Sequence, residues 1–135
     1  MTTGARRAEI PIRTQAHEEI LDITAPVGDA VHALGITDGA VLLFCPHTTA
    51  ALTVNEAADP DVRADVGAAL AKLVPNLPFR HAEGNSPAHV RSALVGPSLL
   101  LPVLAGELVL GTWQGIYFCE FDGPRQRRVW AFPLR

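Results

Sequence analysis

Lysine is nearly missing from this chain. Lys72 is the only one among 135 residues and falls on the polar side of a predicted helix, which argues against an enzyme working through a lysine Schiff base. A basic surplus is missing too: 11 Lys and Arg stand against 14 Asp and Glu, a net charge of −3 mixed along the chain, so nucleic acid is not an expected partner. No apolar run approaches the ~18 residues of a membrane span, and Met1 to Thr14 shows no charged segment leading into an apolar one. The expectations are no membrane and a cytoplasmic location. Only two cysteines occur, Cys45 and Cys119, each in an apolar run that predicts a buried, reduced thiol with no adjacent base. A G-x-S-x-G elbow, a P-loop and G-x-G-x-x-G are absent, which removes the usual supports for hydrolase, nucleoside-triphosphatase and dinucleotide chemistry. Internal repeats, low-complexity stretches and linkers are absent as well.

What is present describes one core. The chain is 48% hydrophobic and 19% charged, and its length suits a single domain, residues 1–135. Size scaling gives roughly 7,000 Å² of folded surface against about 21,000 Å² for the extended chain. Glu9 to Arg13 and Glu19 to Thr24 predict two strands of a hairpin around the polar turn Thr14 to His17. Pro26 to Leu34 predicts a short helix closed by Gly35. The continuous apolar run Gly39 to Pro46 predicts a strand buried on both faces, with Ala51 to Asn55 as another. Asp59 and Pro60 start a helix that Val62, Val66, Leu70, Leu73 and Val74 carry to about Val74; Ser86 and Pro87 start a shorter one closed by Gly96. Strands follow at Ser98 to Val103, Glu107 to Trp113, Ile116 to Phe121 and Arg127 to Phe132. The irregular clustering of strands and helices predicts an α+β domain: a mixed or antiparallel sheet, half-barrel or sandwich-like, with about three helices.

Candidate chemistry concentrates on three of five histidines. His17 lies in a polar turn and His32 falls off its helix's apolar stripe, which makes both surface residues. His47 leaves a buried strand, His81 opens a glycine-containing loop, and His89 sits three residues into a helix whose start favours the neutral imidazole a metal needs. Three neutral imidazoles plus water make a catalytic zinc site. Dispersed histidines without HxH or HxxxH spacing are more often structural. The HAE at 81–83 matches half of a zinc-deaminase signature, but no P-C-x-x-C follows. The loop Glu83 to Pro87 ends in a helix start, and with Arg80 and Arg91 it could hold a phosphate, or be only a capped helix between solvated arginines. Asp59 and Asp61 suit capping, which leaves Glu56 and Asp65 as candidate magnesium ligands. Trp113 could stack on a planar ring with Gln114 reading its edge; alternatively Trp113 is core and Gln114 a turn residue.

Three segments carry a family likeness: HTTAALTVNE from His47 to Glu56, HAEGNSPAHVRSALVG from His81 to Gly96, and LVLGTWQGIYFCEFDGPRQRRVW from Leu108 to Trp130. Together they resemble the YjbQ family, also described as the secondary thiamine-phosphate synthase family, over most of the chain from about Val41 onward. The resemblance implies a compact α+β domain assembled as a homotrimer, with a divalent metal, zinc above all, held by His47, His81 and His89. It places Glu56, Asn85, Gln114 and Arg125 on motif positions; Pro87 departs from a pattern in which an acidic residue is expected. The implied reaction joins a hydroxymethylpyrimidine pyrophosphate to a thiazole phosphate. Glu56, Glu83, Asn85 and Gln114 are then the expected catalytic groups. Arg80, Ser86, Arg91, Trp113 and Arg125 are the expected contacts to a small phosphorylated metabolite. The alternatives are a metal-dependent hydrolase or lyase using Glu83 or Glu56 as base, and a non-catalytic metal- or metabolite-binding protein. So short a chain leaves little to enclose a pocket, so a neighbouring subunit is expected to complete it.

Overall fold

The alternation predicted for the first segment is real, but its pairing is not a hairpin. In the computed structural model, which describes residues 2–4 and 6–134, with side chains from 6 onward, β1 (Thr2–Gly4) and β2 (Arg7–Arg13) lie in one sheet and β3 (Glu19–Asp22) in another. The reason is Thr14. It is buried, its N–H donates to the Arg125 carbonyl at 3.0 Å, and its hydroxyl donates to Glu120 at 2.7 Å, so the chain is carried across the core.

The remaining elements are α1 (Thr24–Ala33), β4 (Gly39–Phe44), β5 (Ala50–Glu56), α2 (Pro60–Leu73), α3 (Ser86–Val95), β6 (Ser98–Leu104), β7 (Glu107–Leu108), β8 (Gln114–Glu120) and β9 (Gln126–Leu134). A six-stranded sheet runs β1-β2-β9-β4-β6-β7 and a three-stranded sheet β3-β8-β5, and every pairing described is antiparallel. The two sheets face each other as a curled half-barrel around Ile10, Val41, Leu43, Leu52, Ile116, Phe118 and Val129. α1 packs Val27, Ala30 and Val31 into the same core. The surface of 7648 Å² is close to the size-scaling value.

β4 is not buried on both faces. Val41 and Leu43 point inward and are fully buried, but the alternate side chains point out, beside β6 on one side and β9 on the other. Register puts Leu42 between Leu100 and Phe132, Ala40 between Pro102 and Leu134, and Phe44 between Ser98 and Trp130. Leu100 is 64% exposed in this outer face, where Phe44 and Trp130 stack with ring centres 6.1 Å apart. The continuous apolar run comes from two apolar faces, only one of which the chain covers itself.

β8 does have both faces covered, by the sheet core on one side and by α2 and α3 on the other. Ala51, Cys119 and Phe121 meet Ala88 of α3. The Asp59 carboxylate caps α2 by accepting from the Asp61 N–H at 2.9 Å, as the sequence predicts. The expected strand Glu107 to Trp113 is cut to two residues, because the Gln114 side chain accepts from the Gly111 N–H at 2.8 Å and the Gln114 N–H donates to the Gly111 carbonyl. That turn makes Gln114 the first residue of β8 instead. Among the described residues no helix is long and apolar enough to cross a membrane.

Candidate functional site

Three loops meet where β8 leads into β9. The first follows β4: Cys45 donates its N–H to the Pro97 carbonyl at 2.8 Å, and Pro46 turns the chain so that His47 reaches back to β9. Its Nε2 stands 3.2 Å from the Arg128 carbonyl oxygen and 3.0 Å from the Arg128 backbone nitrogen, groups that β4, ending at Phe44, no longer pairs. Burial, and then the neighbouring Arg127 charge, hold the His47 imidazole below its ordinary value, so it is neutral; in the tautomer whose Nε2–H donates to the Arg128 carbonyl, the Nδ1 lone pair is left free.

The second loop enters α3. Ala88 anchors the helix, and His81 and His89 meet edge to face with ring centres 5.4 Å apart. The N-cap is Asn85 and not Ser86, yet its side chain makes no capping bond. Its Nδ2 donates instead to Asp122 Oδ2 at 2.8 Å, and its buried Oδ1 has no partner.

The third loop is Phe121 to Arg125. Burial opposes ionisation of Asp122, but hydrogen bonds from Asn85 and Arg125 outweigh it and keep the carboxyl below its usual range. Gly123 is required here: a Cβ would lie 2.3 Å from the Ala16 carbonyl oxygen and 2.9 Å from Thr14 Oγ1.

Beneath the loops lies a buried ion pair. The Arg127 guanidinium holds the fully buried Glu120 carboxylate in a fork, with Nε at 2.8 Å from Oε1 and Nη2 on Oε2. The same Nη2 donates to Thr49 Oγ1 at 2.8 Å, and the Asp122 N–H completes the carboxylate's bonds. Burial raises Glu120, yet the bonds from Arg127 and Thr14 win, and the group stays ionised below its ordinary value. The result is a cavity of about 400 Å³ lined by His47, Thr49, His81, Glu83, Asn85, His89, Asp122, Arg125 and Arg127.

The structure thus brings together His47, His81, His89, Glu83, Asn85 and Arg125 of the residues singled out from sequence. The donors are right in kind for zinc, but no group of three or more His, Cys, Asp or Glu side chains among the described residues stands close enough to hold an ion. Others lie elsewhere. Arg91 turns to the far side of α3, where it pairs with Glu18. Arg80 is exposed and lines no part of the cavity, and Ser86 lies outside its lining. Glu56 pairs in register with Gln114 at the end of β5 and β8 opposite the Ala50–Glu120 pair, roughly 20 Å away at about 3.3 Å per residue. Trp113, beside them, is 64% exposed, so it is not core. The Glu56 carboxylate accepts from the Ala58 N–H at 2.8 Å and Asp65 is exposed on α2; the magnesium pair is not assembled. Cys119, buried, is pushed up to about 12 and Cys45 is raised for the same reason, so neither is a nucleophile.

Sequence reasoning missed Glu120, Arg127, Asp122, Thr14 and Thr49. One signal was available: a glutamate inside the apolar strand IYFCEF needs a buried cation, and Arg127 follows just past the DGP turn.

A family model described as UPF0047 protein YjbQ-like matches residues 8–133. The chain belongs to the UPF0047 YjbQ-like family. UPF0047 protein YugU of Bacillus subtilis is 50% identical over 120 residues, covering 87% of this chain and 91% of that protein. UPF0047 protein MJ1081 of Methanocaldococcus jannaschii is 47% identical over 121 residues, covering 89% and 88%. Among solved structures of the same fold, one from Clostridium acetobutylicum has a TM-score of 0.88 at 47% identity, covering 92% of this chain and 97% of that one. Another, from Aeropyrum pernix, has a TM-score of 0.89 at 34% identity, covering 97% and 100%. The family match reaches back to β2, ahead of the three motifs that carried the likeness.

Proposed function

We propose that the histidine cavity is the active site of a metal-dependent transferase of the thiamine-phosphate synthase type. One observation carries this reading: three imidazoles, one of them held neutral, share a cavity with the partly exposed Arg125 guanidinium above a fixed ion pair. In the reaction, the bond between the pyrimidinylmethyl carbon and a pyrophosphate oxygen breaks, and its electron pair leaves with pyrophosphate. The thiazole nitrogen supplies the pair for the new C–N bond. Arg125 neutralises the departing oxygens, and the first turn of α3 adds partial positive charge. Asn85 Oδ1, buried and unpartnered, accepts from an amino group on the pyrimidine ring. Donation from His47 Nε2–H to the Arg128 carbonyl fixes the ring and leaves the Nδ1 lone pair free. Zinc held by His47, His81 and His89 would supply further charge neutralisation at the leaving group.

A hydrolase or lyase acting on another small phosphorylated metabolite is the second reading, favoured by Glu83, whose exposed carboxylate stands 3.9 Å from His81 Nε2 as an available base. The assembly proposed with both readings is a homotrimer closed through the outer face of β6, β4 and β9. The uncovered apolar rows there support it, and they end at Phe44 and Trp130, two residues along β9 from the His47 contact.

Metal-loaded protein given both phosphorylated precursors is expected to form thiamine phosphate, and His81→Ala to abolish it. No product from metal-replete protein would rule out the transferase. Phosphate release without the thiazole partner would favour the second reading, and neither activity would leave a binding protein.

A further inference from the structure

The histidine cavity uses one side of α3, and Arg91, on the other side, borders a second cavity. That cavity has a volume of about 390 Å³ and lies between α2, the start of β3 and α3. Ile20, Leu70 and Phe121 give it an apolar lining, and Gly67 and Ala71 of α2 leave it open. Its size is that of a small-molecule site.

Two guanidinium groups face this space with donors uncommitted. The Arg91 side chain is 11% exposed. Its Nη1 is bonded to Glu18, its Nη2 makes only a 3.5 Å contact with the Ala71 carbonyl, and its buried Nε has no partner. Arg63 lies over the Tyr117 ring, 5.3 Å from its centre, and donates at 3.3 Å to the Ile20 carbonyl; among the described residues it has no carboxylate partner. Arg63 carries a charge without a counter-ion beside this apolar lining, so an anionic oxygen belongs next to it. Glu18, Glu19 and Glu120 also line the cavity, the last already paired with Arg127. They would repel a dianion such as phosphate more than a singly charged group, and the apolar lining asks for hydrocarbon.

We propose that this cavity is a second ligand site, taking a small monocarboxylate with a hydrocarbon body. The carboxylate accepts from Arg63 with Arg91 Nη2 alongside, and the hydrocarbon lies on Ile20, Leu70 and Phe121.

Hexanoate is the probe, with hexanol and inorganic phosphate as controls, titrated into the full chain while NMR follows the amides of Gly67, Ala71 and Phe121 and the Arg63 Nε–H. Hexanoate is expected to shift all four signals, and the controls to leave them in place. Arg63→Gln and Arg91→Lys should each weaken hexanoate about tenfold, since both lose part of the fork that a carboxylate requires. Gly67→Leu tests the space without touching either arginine: a Cβ there would meet only Ile20 Cδ1, at 3.7 Å, and the longer side chain fills the cavity and should abolish the shifts. No response to hexanoate overturns the proposal. So does an equal response to hexanol or phosphate, or hexanoate affinity unchanged in Arg63→Gln and Gly67→Leu.

Discussion

Glu120 is the residue on which the histidine site rests. It ties β8 to Arg127 of β9 and to Thr14 at the end of β2, so one carboxylate joins the two sheets under the cavity floor. Glu120→Gln keeps the shape and removes the charge, leaving Arg127 buried without its counter-ion; a loss of about 3–5 kcal/mol in urea unfolding is expected. The same group sets an acid limit. Its folded value lies below the ordinary 4.5, so its stabilisation is complete above that pH and is lost as pH falls through the folded value. Acid unfolding followed by circular dichroism should therefore show a weaker pH dependence below 4.5 in Glu120→Gln than in the parent. At this scale the sequence was legible where a residue interrupts its surroundings: His47, His81 and His89 stand at element junctions, and all three reached one cavity. It was illegible where direction decides. Arg91 is two positions from His89, and a helix turns about 100° per residue, so neighbours in sequence face different cavities.

Elements were read best where local chemistry fixes their ends. The Asp59 and Pro60 start of α2 and the Gly35 stop after α1 follow from capping and backbone geometry alone. Pairing could not be read in the same way. β2 and β3 look like a hairpin because a polar turn joins them, but Thr14 is polar in order to serve Glu120, a partner 106 residues away. Two glycines give opposite expectations on this basis. Gly67 sits mid-helix with room for a methyl group, so Gly67→Ala should raise stability by about 0.5–1 kcal/mol and lift Tm by a few degrees in calorimetry. Gly123 has backbone oxygen within 2.3 Å of where a Cβ would go, and Gly123→Ala should cost about 3 kcal/mol in urea unfolding and disturb the Asp122 and Arg125 loop.

At the scale of the whole molecule, the six-stranded sheet has one face in the core and one apolar face outside. An exposed patch of that kind marks an interaction surface, and in the homotrimer proposed above the continuous apolar run of β4 would be covered on its second side by another copy. Leu100→Asp places a charge in the middle of the patch. Sedimentation is expected to show trimer for the parent and monomer for Leu100→Asp, with Leu73→Asp, on the exposed side of α2, still trimeric; a monomeric parent would remove the assembly from consideration. The fold class was legible because alternation and turn residues are local. The second face was not, because a strand covered by its own chain and one covered by a neighbour have the same sequence.

β9 therefore has two duties at adjacent positions. Trp130 faces outward from the strand, and the Arg128 main chain two residues earlier holds His47. If subunits separate on dilution, the strand loses its cover beside the atom that fixes the imidazole. If the proposed trimer holds zinc at His47, zinc affinity should fall as the protein is diluted through its dissociation range, and adding zinc should shift that range to lower protein concentration.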